Sequence, residues 1–353
     1  MKVLSLFDGI SCGRLALERA GFSVEKYDAF EIDKYALFVS ANNFPDVIQH
    51  GDVFNGDFTQ FKGYDLLIGG SPCTYWSLAK KGREITADGE GFRLFMQYVR
   101  ALEESECKYF MYENNQSIHK NIKDAISEKL GVKPIMINSA LVSAQHRKRC
   151  YWTNIPNITQ PDDKNIMLKD VLESGISWQD KSYCMTASYQ GAVLKNTLER
   201  SQRTMVAEPV AINDIDGKSR VIKAHYSSTT LANATRQDGF GATMVAEKIA
   251  KPIRVGEYGK GGQGQRIYSV HGKSVTLSAN GGGQGAKTGL YKIDLPDGDY
   301  IIRKLTPVEA ERLQTLPDNY TAGISNTQRY KCIGNGWTVD IIAHILGGLK
   351  NAE

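Results

Sequence analysis

The sequence has no long hydrophobic run: no stretch approaches the ~20 apolar residues that a membrane-spanning helix needs. The N-terminal residues meet an acid as early as Asp8 and offer no small-residue cleavage site, so no secretory signal peptide is expected. The six cysteines form no C-x-x-C pair, which argues against a structural zinc site and a disulfide framework and favours a reducing compartment. We therefore expect a cytoplasmic protein without a structural metal and without a membrane partner.

The length and the charge distribution predict two domains with different partners. A chain of 353 residues exceeds the usual size of one domain, at roughly 150 residues each. Residues 181–300 carry 16 Lys+Arg against 10 Asp+Glu, a net charge of +6, which leaves −2 for the rest of a chain whose total is +4. The same segment holds 16 of the 34 glycines. A basic, glycine-rich segment favours an anionic polymer as partner, although a solvated loop-rich insertion would have a similar composition.

The first half of the chain alternates short apolar runs with helical patterns. Strands followed by helices predict parallel pairing and an α/β fold with a doubly wound sheet. Ligands bind such sheets at the carboxyl ends of the strands. The loops after Leu6, Phe30, Ile68 and Tyr112 are therefore where we expect the functional residues.

The second half changes character near residue 176, where short β-type segments alternate with glycine. Similar segments recur at 181–187, 228–234 and 273–279, and this spacing favours related strand–loop–strand units over chance similarity. Helical signals return with a capping box that begins at Thr306, and Thr338 is placed to cap a final apolar helix. We expect that helix to pack on the first domain, so that the chain leaves this domain and returns to it.

Three features in chain order, a glycine-rich loop and the acids Glu31 and Asp52, predict a nucleoside-bearing cofactor. Gly9 and Gly13 allow a sharp bend at the start of a helix, where the partial positive charge favours an anionic group. Glu31 follows the second strand and is placed to accept hydrogen bonds from ribose hydroxyls. Ile32 would pack on a base, and Asp52 would accept from an exocyclic amine. Each acid alone would serve equally well as a helix cap, but all three features in order favour the cofactor.

The segment Gly69-Gly70-Ser71-Pro72-Cys73 predicts a nucleophile. A buried strand ends there in glycines and a rigid proline, so the thiol lies on a constrained turn at the ligand-binding edge of the sheet. Glu113 ends the next strand and should reach the same edge, where it could exchange a proton. Strand alternation then places Arg147 and Arg149 on one face, directed at an anion or at the active site.

These motifs resemble those of the DNA cytosine-5 methyltransferase family, in its compact bacterial and phage type. The resemblance covers nearly the whole chain, and its motifs in chain order are Phe7-Asp8-Gly9, Gly69-Gly70-Ser71-Pro72-Cys73, Glu113-Asn114, Gln145-x-Arg147-x-Arg149, Arg303 to Pro317 and Gly334-Asn335-Gly336-Trp337. The sequence departs from the family pattern at Thr74, Asn115 and the Gly336-Trp337 pair. None of these departures removes a reacting group.

The resemblance implies the fold and the reaction. It implies a Rossmann-like methyltransferase domain formed by residues 1–175 and 325–353, with a smaller, mostly β target-recognition domain at 176–324. The implied activity transfers a methyl group from S-adenosylmethionine to carbon 5 of a flipped-out cytosine in a specific double-stranded DNA sequence. Cys73 would add to carbon 6, Glu113 would bind the base and supply a proton, and Arg147 with Arg149 would hold these groups in register.

The resemblance also implies the binding residues. Those expected at the cofactor are Phe7, Asp8, Gly9, Ile10, Ser11, Cys12, Gly13, Glu31, Ile32, Asp52, Val53, Pro72 and Asn335, and those expected at DNA are Ser77, Lys80, Lys81, Arg83, Arg203, Arg236 and Arg266. The DNA set combines a mobile loop after the nucleophile with arginines of the repeated units. We expect a monomer that binds double-stranded DNA and no metal. A cognate restriction endonuclease would act separately from it.

Four alternative functions share part of this sequence pattern. An RNA cytosine-5 methyltransferase would use the same Cys and Glu, and the basic segment favours duplex DNA over RNA. A catalytically silent DNA-binding regulator on the same scaffold would not need Cys73, Glu113 and Arg149 together. An amino-methylating enzyme would have an Asn/Asp-Pro-Pro-aromatic loop in place of Ser71-Pro72-Cys73-Thr74. A nicotinamide-dependent oxidoreductase would leave the basic segment without a role.

Overall fold

The computed structural model describes residues 1–77, 82–177, 179–209, 254–257, 266–269, 290–295 and 298–351. A seven-stranded sheet is formed by β1 (Lys2–Leu6), β2 (Lys26–Phe30), β3 (Val47–Gln49), β4 (Leu66–Gly69), β5 (Tyr109–Asn115), β6 (Ile135–Asn138) and β7 (Lys148–Thr153). Helices α1 (Cys12–Arg19), α2 (Lys34–Asn43), α3 (Glu90–Ser105) and α4 (Lys120–Leu130) alternate with the strands. The predicted α/β fold is confirmed.

The sheet has the order β3-β2-β1-β4-β5-β7-β6. Strands β1 to β5 pair in parallel, as expected, but β7 lies antiparallel to both β5 and β6. The expectation of parallel pairing throughout is therefore wrong at this edge. The physical reason is the connection between β6 and β7: residues 139–147 are too few for the helical crossover that a parallel pair needs.

Side chains of the central strands alternate between two cores. Leu4 and Leu6 pack with α3 and α4 on one face of the sheet, whereas Val3 faces the other side, where α1 lies. The last helices are α6 (Pro307–Leu313), α7 (Asn326–Asn335) and α8 (Val339–Gly347). Helix α8 packs on α1, so the predicted return of the chain to the first domain is confirmed.

The helix start signals give a mixed result. Thr306 forms the predicted capping box with Glu309 at the start of α6. Thr338 occupies the N-cap position of α8, but its hydroxyl donates to Gln314 Oε1 at 2.8 Å instead of capping the helix. The buried amide oxygen of Gln314 thus competes with the backbone of α8 for this hydroxyl.

A second, five-stranded sheet has the order β8-β12-β11-β10-β9. Its strands are β8 (Met205–Pro209), β9 (Arg254–Glu257), β10 (Arg266–Ser269), β11 (Leu290–Leu295) and β12 (Gly298–Lys304). The repeated units at 228–234 and 273–279 lie outside the described residues. The unit at 181–187 differs from the expected strand–loop–strand: Ser182 forms a single bridge with Gln145, and helix α5 (Leu194–Arg200) intervenes before β8.

The core on the α1 side of the first sheet extends beyond the residues assigned to the first domain. Leu305, Ala310 and Leu313 belong to the same buried cluster as Val3 of β1. In the part of the chain that the structure describes, no helix is long and apolar enough to cross a membrane. Nor do the described His, Cys, Asp and Glu side chains form a group of three or more that would hold a metal ion.

Candidate active site

A cavity of about 520 Å³ opens at the carboxyl ends of β1, β2, β4 and β5. Each of these strands contributes the residues that follow it, as the fold rule for parallel sheets requires. Eleven of the residues expected at the cofactor line it: Phe7, Asp8, Gly9, Ile10, Cys12, Glu31, Ile32, Asp52, Val53, Pro72 and Asn335. Cys73, Glu113, Arg147 and Arg149 line the same cavity, so the structure brings the predicted reacting groups and the predicted cofactor residues together.

Asp8 stabilises the loop after β1 through hydrogen bonds to its carboxylate. Its carboxylate accepts hydrogen bonds from the hydroxyls of Ser5, Ser11 and Tyr27 at 2.6 to 2.8 Å. Burial raises the pKa of Asp8, although these three donors act in the opposite direction. Ser11 is fully buried and, with Gly13, does not line the cavity. A Cβ on Gly13 would lie 2.3 Å from Ile68 Cδ1, so this glycine permits close packing of the helix on the sheet.

The carboxylate of Glu31 binds backbone N–H groups of this loop and of the segment after β2. Its Oε2 accepts from the backbone N–H of Gly9 at 2.8 Å, and its Oε1 accepts from those of Ile32 and Asp33 at 2.7 Å. Burial raises the pKa of Glu31 against the opposing effect of these amides. Because a carboxylate oxygen has two acceptor positions, Oε2 retains one for a further donor. Ile32 is 73% exposed although it is apolar, and its side chain forms part of the cavity wall.

Asp52 begins a short 3₁₀ helix at the third strand. Its Oδ1 accepts from the backbone N–H of Phe54 at 3.0 Å, which is the capping role that the sequence left open for this acid. The capping bond uses one oxygen, and the residue still lines the cavity. The structure is therefore compatible with both predicted roles of Asp52, as a helix cap and as a cofactor contact.

Cys73 is a free, half-buried cysteine that begins a 3₁₀ turn directly after Pro72. Its carbonyl oxygen accepts from the backbone N–H groups of Trp76 and Ser77 at 3.0 and 2.9 Å. The indole of Trp76 is fully buried and donates to Glu84 Oε2 at 3.0 Å. These contacts fix the C-terminal side of the turn that carries the thiol, and the turn follows a rigid proline, as predicted.

Glu113 has one partner on each carboxylate oxygen, an ion pair at Oε1 and a hydrogen bond at Oε2. Arg149 Nε lies 2.9 Å from Oε1, and the indole Nε1 of Trp337 donates to Oε2 at 2.9 Å. The carboxylate is almost completely buried, so both bonds lie in a medium of low dielectric constant, where they are stronger than in water. Burial lowers the pKa of Arg149, but the thiol of Cys184 and the carboxylate of Glu113 outweigh it and raise this pKa above its usual value.

Arg147 makes different contacts from Arg149. Its guanidinium donates to the carbonyl oxygens of Met185 and Gly336 at 2.9 and 2.8 Å and to that of Gly334 at 3.3 Å. It is only 4% exposed. These bonds tie the start of β7 to the segment that carries Trp337, so the contacts of Arg147 are those of a structural support for the site.

Cys184 lies between the two arginines. Its sulfur is 3.6 Å from Arg147 Nη1 and 3.8 Å from Arg149 Nη2, which agrees with the prediction that both guanidinium groups share one face. Burial raises the pKa of the Cys184 thiol, but the two guanidinium groups outweigh this effect and lower it below its ordinary value.

The residues expected at DNA are only partly described. Arg83 Nη1 donates to the carbonyl of Ser117 at 2.7 Å, and Ser77 follows the nucleophile turn. Arg203 donates to the carbonyl of Gly191 at 2.8 Å and to Ser188 Oγ at 3.0 Å, so its guanidinium braces the segment before β8. Arg266 is the first residue of β10, and Lys80, Lys81 and Arg236 lie outside the described residues.

Sequence reasoning missed two residues of the site. The sequence marks Trp337 as part of a C-terminal motif that departs from the family pattern, and Cys184 as part of the repeated segment 181–187, but it predicts a site role for neither. An aromatic donor beside the Gly334-Asn335-Gly336 motif was the available signal for Trp337. No local pattern marks Cys184, because its two arginine neighbours lie at least 35 residues away in the chain.

Comparison with known proteins gives a consistent family assignment. The model of the C-5 cytosine-specific DNA methylase family matches residues 1–351. Among curated relatives, the chain is 28% identical to the type II methyltransferase M.HhaI of Haemophilus parahaemolyticus, covering 98% of this chain and 93% of the relative. It is 25% identical to the orphan methyltransferase M.SPRI of Bacillus phage SPR, covering 98% and 96%.

Solved structures agree with the fold. The Dnmt2 methyltransferase of S. pombe matches with a TM-score of 0.56 at 13% identity, covering 100% of this chain and 99% of the other. The Entamoeba histolytica methyltransferase EhMeth matches with a TM-score of 0.57 at 14% identity, with the same coverage. At these identities the likeness concerns the fold alone.

Proposed function

Because the chain belongs to the C-5 cytosine-specific DNA methylase family, we propose that it methylates carbon 5 of a flipped-out cytosine in double-stranded DNA through a covalent bond from Cys73 to carbon 6. One observation carries this proposal. The Cys73 turn and the doubly held Glu113 carboxylate line one cavity together with the residues expected at the cofactor.

The reaction needs a nucleophile because carbon 5 of cytosine does not accept a methyl group directly. The Cys73 thiolate adds to carbon 6, and electron density moves to carbon 5, which becomes nucleophilic as part of an enamine. After methylation, loss of the carbon 5 proton and elimination of the thiolate restore the aromatic ring and the free enzyme. The glycine–proline turn contributes by holding the sulfur in a fixed position at the mouth of the cavity.

Glu113 acts on the opposite side of the ring. It hydrogen-bonds N3 and the exocyclic amine and supplies the proton that N3 takes up when carbon 6 is attacked. Arg149 holds the carboxyl group through an ion pair at Oε1 and keeps it aligned with the base. In this proposal Arg147 acts indirectly, since its guanidinium is engaged by the carbonyls of Met185, Gly334 and Gly336.

The cavity fits S-adenosylmethionine, which supplies an electrophilic sulfonium methyl group when bound. Gly9 has a φ of +61° and no atom within 4 Å of a Cβ built on it, so the backbone can approach a ligand closely. Glu31 would bind the ribose hydroxyls, Ile32 would cover the adenine, and Asp52 would accept from its amine. Asn335, at the end of α7, would complete the wall near the reacting groups.

Base flipping requires a DNA-binding surface that offsets the cost of unstacking, a few kcal/mol. We assign this role to the basic segment 176–324 as the target-recognition domain, with residues 1–175 and 325–353 as the catalytic domain. Ser77, Lys80, Lys81 and Arg83 would contact phosphates from the loop after the nucleophile, and Arg203, Arg236 and Arg266 would lie at the recognition surface. We propose that the protein acts as a monomer inside the cell, independently of any cognate endonuclease.

The experiment first identifies the site and then traps the adduct. Bisulfite sequencing of DNA from cells that express the protein gives the methylated sequence. A duplex with 5-fluorocytosine at that position should then join covalently to Cys73, because fluorine cannot leave as the proton does. Mass spectrometry locates the adduct, and Cys73→Ser should abolish it while DNA still binds.

Cys107→Ser is the matched control, because this cysteine is buried beside Ser105 and does not line the cavity. It should form the adduct at the rate of the unmodified protein. Methyl transfer to tRNA but not to duplex DNA, or an adduct at another residue, would overturn the proposal.

A further inference from the structure

The bond from Trp337 to Glu113 joins two parts of the chain that are 224 residues apart. Trp337 lies between α7 and α8, and Glu113 lies on β5 at the mouth of the cavity. The indole is half-buried and lines the cavity. It belongs to the Gly336-Trp337 pair, at which the sequence departs from the family pattern.

Two glycines lie against this indole. A Cβ on Gly13 would lie 3.4 Å from Trp337 Cζ3, and a Cβ on Gly70 would lie 3.4 Å from Trp337 Nε1. The same Cβ on Gly70 would lie 3.1 Å from Glu113 Oε2. The indole and the carboxylate are therefore packed against the backbone of the nucleophile segment, which leaves their hydrogen bond little freedom to shift.

The two partners of Glu113 differ in kind. Arg149 provides a permanent positive charge beside Oε1 as an ion pair, whereas Trp337 provides a neutral N–H that donates a hydrogen bond to Oε2 and does not titrate. The ion pair alone would leave the carboxyl group free to rotate about its terminal torsion. The ion pair from β7 and the hydrogen bond from the segment before α8 together fix the plane of the carboxyl group.

We propose that Trp337 is a positioning residue for the methyl-transfer reaction: its indole N–H orients the Glu113 carboxyl group towards the flipped base. This inference rests on the function proposed above. It assigns to one residue of this chain a task that the family pattern does not provide for. The residue acts through Glu113, so its removal should slow the attack of Cys73 on the base more than it weakens binding of cofactor or DNA.

Trp337→Phe tests the inference because phenylalanine keeps an aromatic ring and removes the donor. We expect kcat and the rate of adduct formation with 5-fluorocytosine DNA to fall about 10- to 100-fold, the effect of losing one hydrogen bond to a charged group. The KM values for S-adenosylmethionine and for DNA should stay within about twofold, since uniform binding is not affected.

A second variant separates the hydrogen bond from packing. Site-specific incorporation of 3-(3-benzothienyl)alanine at position 337 keeps the shape of the bicyclic ring and replaces the N–H by sulfur. It should reproduce the loss seen with Trp337→Phe. Trp152→Phe is the matched control, because it removes an indole bond of equal length, to Ser127 Oγ at 2.9 Å, on a residue that does not line the cavity.

The outcomes are distinct. Unchanged adduct formation in both position-337 variants would overturn the positioning role. So would a raised KM for S-adenosylmethionine at unchanged kcat, because Trp337 would then serve only as part of the wall of the cofactor site. Full activity of the benzothienyl variant beside a slow Trp337→Phe would also overturn it, in favour of packing. If the unmodified protein forms no adduct, the proposed function itself fails, which this design detects separately.

Discussion

Glu113 and Arg149 lie diagonally across the antiparallel pair β5–β7, with Oε1 and Nε 2.9 Å apart. Arg149 is directly opposite Asn115, and Glu113 is two residues before Asn115 on the same face of the sheet. The antiparallel direction of β7 is therefore what brings the arginine to the carboxylate. In a parallel sheet, this position of the sequence would not meet the end of β5.

Replacing Arg149 should separate catalysis from stability. Arg149→Lys keeps the charge but loses the planar guanidinium, so we expect kcat to fall about 100-fold, as when one preorganised donor is lost. Arg149→Ala leaves Glu113 buried without its cation and should lower the free energy of unfolding by about 3–5 kcal/mol. Single-turnover methyl transfer and urea unfolding measure the two effects. A fully active Arg149→Lys variant would contradict this role.

Gly70→Ala should disturb the site by a steric effect alone. The new Cβ would lie 2.9 Å from the carbonyl oxygen of Glu113 and 3.1 Å from Oε2, so the strand end or the carboxyl group must move. A shift of about 1 Å costs about 100-fold in rate, which a steady-state assay would detect. Gly347→Ala is the control, because nothing lies within 4 Å of its Cβ position and its activity should be unchanged. Equal rates in the two variants would contradict the close packing.

Arg147→Met should act mainly on stability. It leaves the carbonyls of Met185 and Gly334 without their buried donor, whereas that of Gly336 keeps the side-chain amide of Gln314, and we expect a loss of about 3 kcal/mol in the free energy of unfolding. Arg93→Ala removes an exposed arginine paired with Glu90 and should change this free energy by less than about 1 kcal/mol. Urea titration compares the two. Loss of activity at full stability would instead assign Arg147 a direct catalytic part.

The thiol of Cys184 should react with alkylating reagents at lower pH than the other buried thiols. Its pKa is lowered by Arg147 and Arg149 against the effect of burial, so more thiolate is present at neutral pH. Burial raises the pKa of Cys12 and Cys332 to about 12 and that of Cys107 and Cys150 to about 11. Iodoacetamide labelling of the folded Cys73→Ser variant, followed by mass spectrometry, should therefore modify Cys184 first.

Arg149→Met tests whether the guanidinium groups cause the lowered pKa of Cys184. Loss of one guanidinium raises the pKa of Cys184, so labelling at pH 7 should slow and should recover as the pH rises. In urea all cysteines should react at similar rates, which shows that the selectivity belongs to the fold. Equal labelling of Cys184 with and without Arg149 would contradict the electrostatic cause.

The sequence predicted those parts of the site that depend on local signals. Strand ends, the glycine–proline turn at Cys73 and the capping box at Thr306 are each encoded by a few neighbouring residues, and each is present in the structure. The chain order of the strands then placed Glu31, Cys73 and Glu113 at one edge, because parallel strands share that edge.

The remaining features depend on long-range packing. Periodicity does not reveal strand direction, so the reversal of β7 was not predicted. The structural role of Arg147 depends on carbonyl groups up to 189 residues away. The Thr338 hydroxyl, expected to cap a helix, instead donates a hydrogen bond to the side-chain oxygen of Gln314. Such contacts form only when distant segments meet in the folded core.

The docking of α8 on α1 has a consequence for the order of events during synthesis. Both the indole that reaches Glu113 and two of the carbonyls that hold Arg147 belong to residues 334–337. A ribosome that has released only the first sheet has made Cys73 and Glu113 but none of these contacts. With Trp337 in its proposed role, we expect the site to be aligned only after residues 334–337 have been synthesised.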